Sequence, residues 1–422
     1  MSKKNNANNQ KSEDLLDADM RRRALLLGGA GAAASAMLAP YSSIAQAATT
    51  EVELPFANGR RQLVAYPEKR PLIVLTSRPP QLETPFDVFN EGLITPNDAF
   101  FVRYHLSGIP TSIDGDRHQI KIGGKACGRP FTISVADLRQ LFRPAEIVAV
   151  NQCSGNSRGH FSPRVTGGQL SNGAMGNARW VGVPLKDVLA RAEIMDSARQ
   201  VVFNGLDTAP FGGGDFVKSL DIHHAMDGEV MLAYQMNGSD LPMLNGYPVK
   251  LIVPGFYGTY WIKHLSDIEI VDNTYEGFWM KPAYRIPDND CACVDPGKAP
   301  QSTRPIGRFV VRSFITSLRD GARIAAGRSV NVRGIAFDGG SGIRSVAYST
   351  DGGLTWREAA LGRELSRYSF REFTFGFTPA GGDYDLRVRA TARSGETQPD
   401  HAKWQPAGYM RNVIESVRVT AA

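Results

Sequence analysis

Near residue 306 the pattern of the chain changes, and the change divides it into two unlike halves. Beyond it a two-residue alternation dominates: Tyr384, Leu386, Val388 and Ala390 are separated by Asp385, Arg387 and Arg389. That spacing puts apolar side chains on one face of a strand and charges on the other. The run 346–356 reads as a hairpin, with Asp351-Gly352-Gly353 supplying the positive φ angles of its turn. Several such strands within about a hundred residues predict an immunoglobulin-like β-sandwich. Before the change, between 120 and 271, short apolar runs (Glu146-Ile147-Val148-Ala149-Val150, Val201-Val202-Phe203, Val249-Lys250-Leu251-Ile252-Val253) alternate with brief helical patterns such as 183–189. The fold class expected is therefore α+β, a mixed α/β core over 48–290 and a sandwich over 306–422, joined by a proline-rich linker over 291–305. The stretch 51–110 is expected to be irregular and surface-wrapping, with Pro71-Leu72-Ile73-Val74-Leu75 its one strong strand.

Residues 1–47 read as a targeting segment. A polar start leads to Arg22-Arg23-Ala24-Leu25-Leu26, an apolar Gly/Ala-rich stretch and then Ala45-Gln46-Ala47, after which cleavage is expected. The stretch is too short and too glycine-rich for a spanning helix, so no membrane anchor is expected. The arginine pair points to the twin-arginine route into the periplasm, which carries proteins already folded around a cofactor. The formal charge is +6, and residues 1–47 hold six basic against four acidic side chains. What remains is a weak positive excess with no basic run interleaved with aromatics, which speaks against a nucleic-acid partner and suits small anions.

The four cysteines are Cys127, Cys153, Cys291 and Cys293. None stands in a Cys-x-x-Cys-His context, so covalent haem is excluded on this chain, and no cysteine and histidine set has structural-zinc spacing. The spacing leaves open whether Cys291 and Cys293 pair. The densest chemistry lies in Asn151-Gln152-Cys153-Ser154-Gly155-Asn156-Ser157-Arg158-Gly159. A cysteine leaving a buried strand into a loop of small residues is placed to direct its sulfur into a cavity. On the residues alone an ordinary core position is the more frequent reading of such a cysteine.

Four separated motifs decide the matter, because together they resemble the sulfite oxidase family. They are Phe100-Phe101-Val102-Arg103-Tyr104-His105-Leu106; Gln152-Cys153-Ser154-Gly155-Asn156 with Gly173-Ala174-Met175-Gly176-Asn177-Ala178-Arg179-Trp180; Asn245-Gly246-Tyr247-Pro248-Val249-Lys250 through Val253-Pro254-Gly255 to Lys263; and Gln398-Pro399 through Trp404 to Gly408-Tyr409. The resemblance implies the sulfite oxidase fold, a molybdopterin-binding core followed by a dimerisation domain. It implies one Mo-molybdopterin per chain, with Cys153 as the thiolate ligand of the metal; a soft thiolate suits a metal already held by sulfur. Phe101, Val102, Arg103, Tyr104, His105, Asp207, Asn245, Lys250, Trp261, Ile262 and Lys263 match cofactor-binding positions. At the positions of Asn245 and Lys250 other members often carry His and Arg. Arg103, His105, Arg158 and Tyr284 match catalytic positions, with Trp279 near the same pocket.

The function so implied is oxidation of sulfite to sulfate, with electrons leaving through the surface to a c-type cytochrome, in a homodimer. Two rivals stay in view: a periplasmic methionine-sulfoxide reductase of the same superfamily, which normally lacks the sandwich, and a non-enzymatic binding protein with an immunoglobulin-like module. A cysteine hydrolase using Cys153 with His105 or His160 would leave the arginine pair unexplained.

Overall fold

The computed structural model describes residues 51–53, 60–64 and 66–422; the targeting segment expected over 1–47 lies outside the described residues. The core expected over 120–271 is built mainly of strands. Ala145–Gln152, Met175–Pro184, Met231–Met236 and Ser239–Asp240 form one antiparallel sheet, and Lys250–Ile252 pairs with Met231–Met236. A second sheet runs Lys218–Asp221, Gln200–Gly205, Leu265–Val271, Gln119–Gly123 and Phe131–Ser134, its Leu265–Val271 and Gln119–Gly123 strands parallel. Helices are short, Val135–Leu141 and Leu185–Arg191 being the longest among the described residues. The first begins where the Ser134 hydroxyl accepts from the Asp137 N–H at 3.0 Å and an Asp137 carboxylate oxygen accepts from the Ser134 N–H at 2.9 Å, a reciprocal cap that satisfies two free donors. Among the described residues no helix is long and apolar enough to cross a membrane.

The expectation of an irregular 51–110 is corrected. Glu51–Glu53, Arg60–Val64, Leu72–Ser77, Pro80–Glu83 and Val102–Arg103 form a five-stranded sheet, with Leu72, Leu82, Val102 and Tyr104 buried together on it. The strands are short and the prolines sit at their ends, where a missing N–H costs little, so no long alternation betrays them.

The C-terminal part is the expected sandwich. One sheet holds Arg312–Ile315, Val330–Phe337, Arg371–Phe377 and Ala360–Leu361; the other holds Ala322–Ile324, Ser416–Ala421, Gly382–Ala392, Ile343–Ser349 and Arg357–Glu358. Leu386, Val388 and Ala390 are buried and meet Val332, Val346, Phe373 and Val419 between the sheets. Asp351-Gly352-Gly353 stands at the hairpin turn, with φ of 74° and 95° at the glycines. The residues expected to be a linker fold back: Thr303–Pro305 pairs with Arg285–Pro287, and Cys291 and Cys293 form a disulfide.

The two parts share a core. Phe309, Phe314, Phe337 and Phe370 join the same apolar cluster as Cys153, Trp180 and Trp261. The sandwich also binds the strand that leads to Cys153, since the Val150 N–H donates to Tyr368 O at 2.9 Å and the Ser366 hydroxyl donates to Val148 O. A buried ion network lies at the same seam. Arg312, fully buried, donates to Ser157 Oγ at 2.8 Å and to Glu415 at 3.0 Å, and Arg411 donates to the same carboxylate.

Candidate active site

Cys153 follows directly on the strand Ala145–Gln152, and its loop is fixed by backbone. The Cys153 N–H donates to Ala174 O at 2.9 Å, the Asn156 N–H to Cys153 O at 3.0 Å, and the Ala174 N–H to Asn156 Oδ1 at 3.0 Å. The thiol, in a residue 8% exposed, opens on a cavity. Phe101, Arg103, Tyr104, His105, Asp207, Asn245, Lys250, Trp261, Ile262, Lys263 and Tyr284 line it with Cys153, so the segments 100–105, 151–154, 207–216, 245–263 and 284 converge on one place. Three expected residues do not line it: Val102, Arg158 and Trp279, the last packing against His105 and Phe216 instead. Val102 turns into the apolar face of its sheet with Leu72 and Leu82, as strand alternation requires beside Arg103. Arg158 is held by the backbone, donating from Nε to Ala407 O at 3.0 Å and from Nη1 to Gly168 O at 3.4 Å.

The cavity is rich in buried positive charge. Burial lowers the Lys250 ammonium to a pKa of about 7, with Lys69 adding repulsion. It carries Lys263 well below the usual range, with Lys250 adding to the shift and Asp207 opposing it. Behind the wall Lys218 and Lys69 are each lowered to about 7, chiefly by burial. Asp207 is the one carboxylate among the described lining residues, and burial raises it to about 6 against the pull of Lys263. Such a set is costly in low dielectric without an anion to face. Aromatic faces offset part of the cost: Lys250 Nζ lies 4.9 Å from the Trp180 ring and 5.4 Å from the Trp261 ring. Asn245 ties the segments together, accepting from Lys69 at 2.5 Å and donating to Phe101 O at 3.1 Å. Beneath it the Tyr104 hydroxyl donates to His264 Nε2 at 2.7 Å while His264 Nδ1 donates to Tyr247 O. That arrangement fits a neutral imidazole, and burial above all lowers the His264 pKa to about 3.

The other end is aromatic. His105 stacks on Phe216 with centroids 3.9 Å apart and planes 6° apart, and meets the edge of Trp279 at 5.1 Å. Burial first, then Arg103, Lys218 and Lys263, holds its imidazole well below the usual range, so it is neutral, and its Nε2 shares a hydrogen bond with the Tyr284 hydroxyl. Burial likewise raises the Tyr284 phenol, so it keeps its proton. Tyr284 has a φ of 58°, a left-handed conformation costing about 1–3 kcal/mol in a non-glycine residue and common where a side chain must be aimed.

These residues suit a molybdopterin. A buried thiol provides a soft metal ligand, the lysines face the region where a phosphate needs cations, and Asn151 Oδ1, Ser154 Oγ and Thr259 Oγ1 are buried without a hydrogen-bond partner within the protein, a state polar groups rarely keep unless a ligand satisfies them. Sequence reading missed Phe100, Asn151, Ser154, Phe216, Gly258 and Thr259, which also line the cavity, and Lys218 behind it. Phe100 opens the first motif, Asn151 and Ser154 stand beside Cys153, and Gly258 and Thr259 lie between Gly255 and Lys263, so all five were within reach, whereas Phe216 carries no local signal.

Comparison with known proteins agrees with this site. Residues 106–279 match the oxidoreductase molybdopterin binding domain and residues 303–422 the Mo-co oxidoreductase dimerisation domain. Mitochondrial sulfite oxidase of Homo sapiens is 33% identical over 391 residues, covering 88% of this chain and 69% of that protein. The Mus musculus protein is 36% identical over 371 residues, covering 84% of this chain and 66% of that one. Among solved structures, the sulfane dehydrogenase SoxCD from Paracoccus pantotrophus superposes with a TM-score of 0.70 at 25% identity, over 84% of this chain and 87% of that chain. With a buried thiol and cationic cavity in the matched core and a sandwich matching the family's second domain, the chain belongs to the sulfite oxidase family of molybdopterin enzymes.

Proposed function

We propose that the chain is a sulfite dehydrogenase holding one Mo-molybdopterin, exported to the periplasm by the twin-arginine route and delivering electrons to a c-type cytochrome. The observation that carries this reading is the convergence of Cys153 with Arg103, Lys250 and Lys263 on one cavity that holds a single carboxylate. When bound, the cofactor supplies a metal able to take two electrons and exchange an oxygen atom. Cys153 holds that metal, and Lys250 and Lys263, supported by Asn245, hold the pterin phosphate. Arg103 supplies a charged planar fork for a small oxyanion in low dielectric, where attraction is strong. Tyr284 keeps its phenolic proton toward His105, which orients the ring at the cavity wall. The sandwich matched over 303–422 supports a two-fold homodimer. The test is molybdenum content near one per chain together with sulfite-dependent reduction of cytochrome c. Metal-free active protein, or loaded protein inert toward sulfite, would refute it.

A second reading is favoured by the position of Arg158. Arg158 stays outside the cavity, so among the described residues Arg103 is the one guanidinium lining it, fewer than a free dianion invites. SoxCD, the structural relative, is named for sulfane oxidation. A higher kcat/KM for an organic persulfide than for sulfite would select that reading.

A further inference from the structure

Arg158 lies in a slot built to its shape. A Cβ at Gly155, Gly167 or Gly408 would come within 2.9 Å of its side chain, and Gly408 has a φ of 60°, so a side chain at any of the three would displace Arg158 from this position. Its fourth wall is aromatic: the guanidinium carbon sits 5.1 Å from the centroid of Tyr409. Tyr409 also lies parallel to Tyr284, with centroids 5.5 Å apart and planes 8° apart. Tyr284 lines the Cys153 cavity; Tyr409 does not. Tyr409 thus lies against both Arg158 and Tyr284, and it comes from the chain segment beyond the sandwich strand Gly382–Ala392, whose Ala407 carbonyl also anchors Arg158.

We propose that Tyr409 is a positioning residue of the reaction: through it Arg158, fixed in its glycine slot, sets the orientation of the Tyr284 ring at the wall of the Cys153 cavity. The inference rests on the proposed sulfite-oxidising reading for its kinetic readout. A cation on a π face and two parallel rings are each directional contacts, so the stack transmits orientation where an aliphatic filler of the same volume would not. Arg158 then acts on the substrate from behind the wall.

The test compares Tyr409→Phe, which keeps the ring, with Tyr409→Leu, which fills the space without it. Tyr409→Phe should stay within about threefold of wild-type kcat/KM, and Tyr409→Leu should lose up to about a hundredfold, the scale set by misplacing a reacting group by an ångström, mainly in kcat. Equal activity of the two variants, or a loss in Tyr409→Phe as large as in Tyr409→Leu, would overturn the proposal. A double-mutant cycle guards against a fold defect in Tyr409→Leu: the penalty of Arg158→Gln should shrink in the Tyr409→Leu background, and strict additivity would overturn the coupling. If molybdenum-loaded wild-type protein does not oxidise sulfite, the reaction reading fails separately. The same cycle is then read on molybdenum-free protein, as the rate of Cys153 alkylation by iodoacetate resolved from Cys127 by mass spectrometry. There, Tyr409→Leu should change the rate and Tyr409→Phe should not; equal rates would sink the positioning role.

Discussion

The Lys263 ammonium lies 3.4 Å from the centroid of the Tyr104 ring and donates to Leu244 O at 2.9 Å. These contacts hold its side chain on the cavity although burial disfavours the charged form, and two effects of opposite sign follow. Lys263→Met should reduce molybdenum per chain, because a charged hydrogen bond to phosphate is worth about 1.5–3 kcal/mol. The cofactor-free variant should melt higher than cofactor-free wild type, since the cost of burying that amine has been removed. A lower melting point in the apo variant would place Lys263 in the fold instead.

Stability of the cofactor-free protein should depend on alkaline pH. Lys69, Lys218 and Lys250 have folded pKa values of about 7, against about 10.4 in an unfolded chain. Between those values the unfolded chain binds more protons, so stability rises as pH rises from about 7 to about 10 and is lost as pH falls through that window. A bound anionic cofactor keeps the cavity ammoniums charged and should flatten the dependence. Melting points of apo and loaded protein at pH 7.5 and 9.5, values chosen to lie inside the window, check this, and parallel shifts in both forms would refute it.

Cys153→Ser should abolish turnover while leaving the fold and most of the pterin in place, because the phosphate is held elsewhere by Lys250 and Lys263. Turnover assayed beside pterin fluorescence separates the two, and substantial residual activity would remove Cys153 from the metal.

Arg103→Gln should lower kcat/KM for sulfite by roughly 2–4 kcal/mol, or about 30-fold to 1,000-fold, much of it in KM. Arg103→Lys should fall between, since it restores charge without the planar fork. Tyr284→Phe should cost less, because it deletes a neutral group. An unchanged KM in fully metallated Arg103→Gln would exclude a substrate contact.

At the seam between the two halves, Arg312→Leu should destabilise by about 3 kcal/mol, because Glu415 and Ser157 lose a buried donor. A denaturant midpoint within error of wild type would show that Arg411 alone satisfies Glu415.

Much of this was legible in the sequence, for identifiable physical reasons. The alternation of Leu386, Val388 and Ala390 with charges records burial on one side, and Cys153 at the end of an apolar strand records exit into a cavity. The short sheet over 51–103 was hidden because its strands are too brief to show a period. Arg158 was placed wrongly in the pocket because neighbourhood in sequence does not give direction: Ser157, with a φ of 69°, turns the chain immediately before it and sends the guanidinium toward Ala407. Phe216 and Lys218 reach the site only through tertiary packing, which no local pattern encodes, and Tyr409, although it closes the fourth motif, is brought beside Tyr284 by the same packing.

The seam has a consequence for the chronology of biosynthesis. Ribosomes make chains from the amino end, so Cys153 and the cationic lining exist well before Tyr368, Tyr409 and Glu415 emerge. Until those late residues dock on Val150, Arg158 and Arg312, the wall nearest Tyr284 is unfinished. A nascent chain therefore presents this receptacle with one wall still missing, and the completed chain presents it with every wall in place.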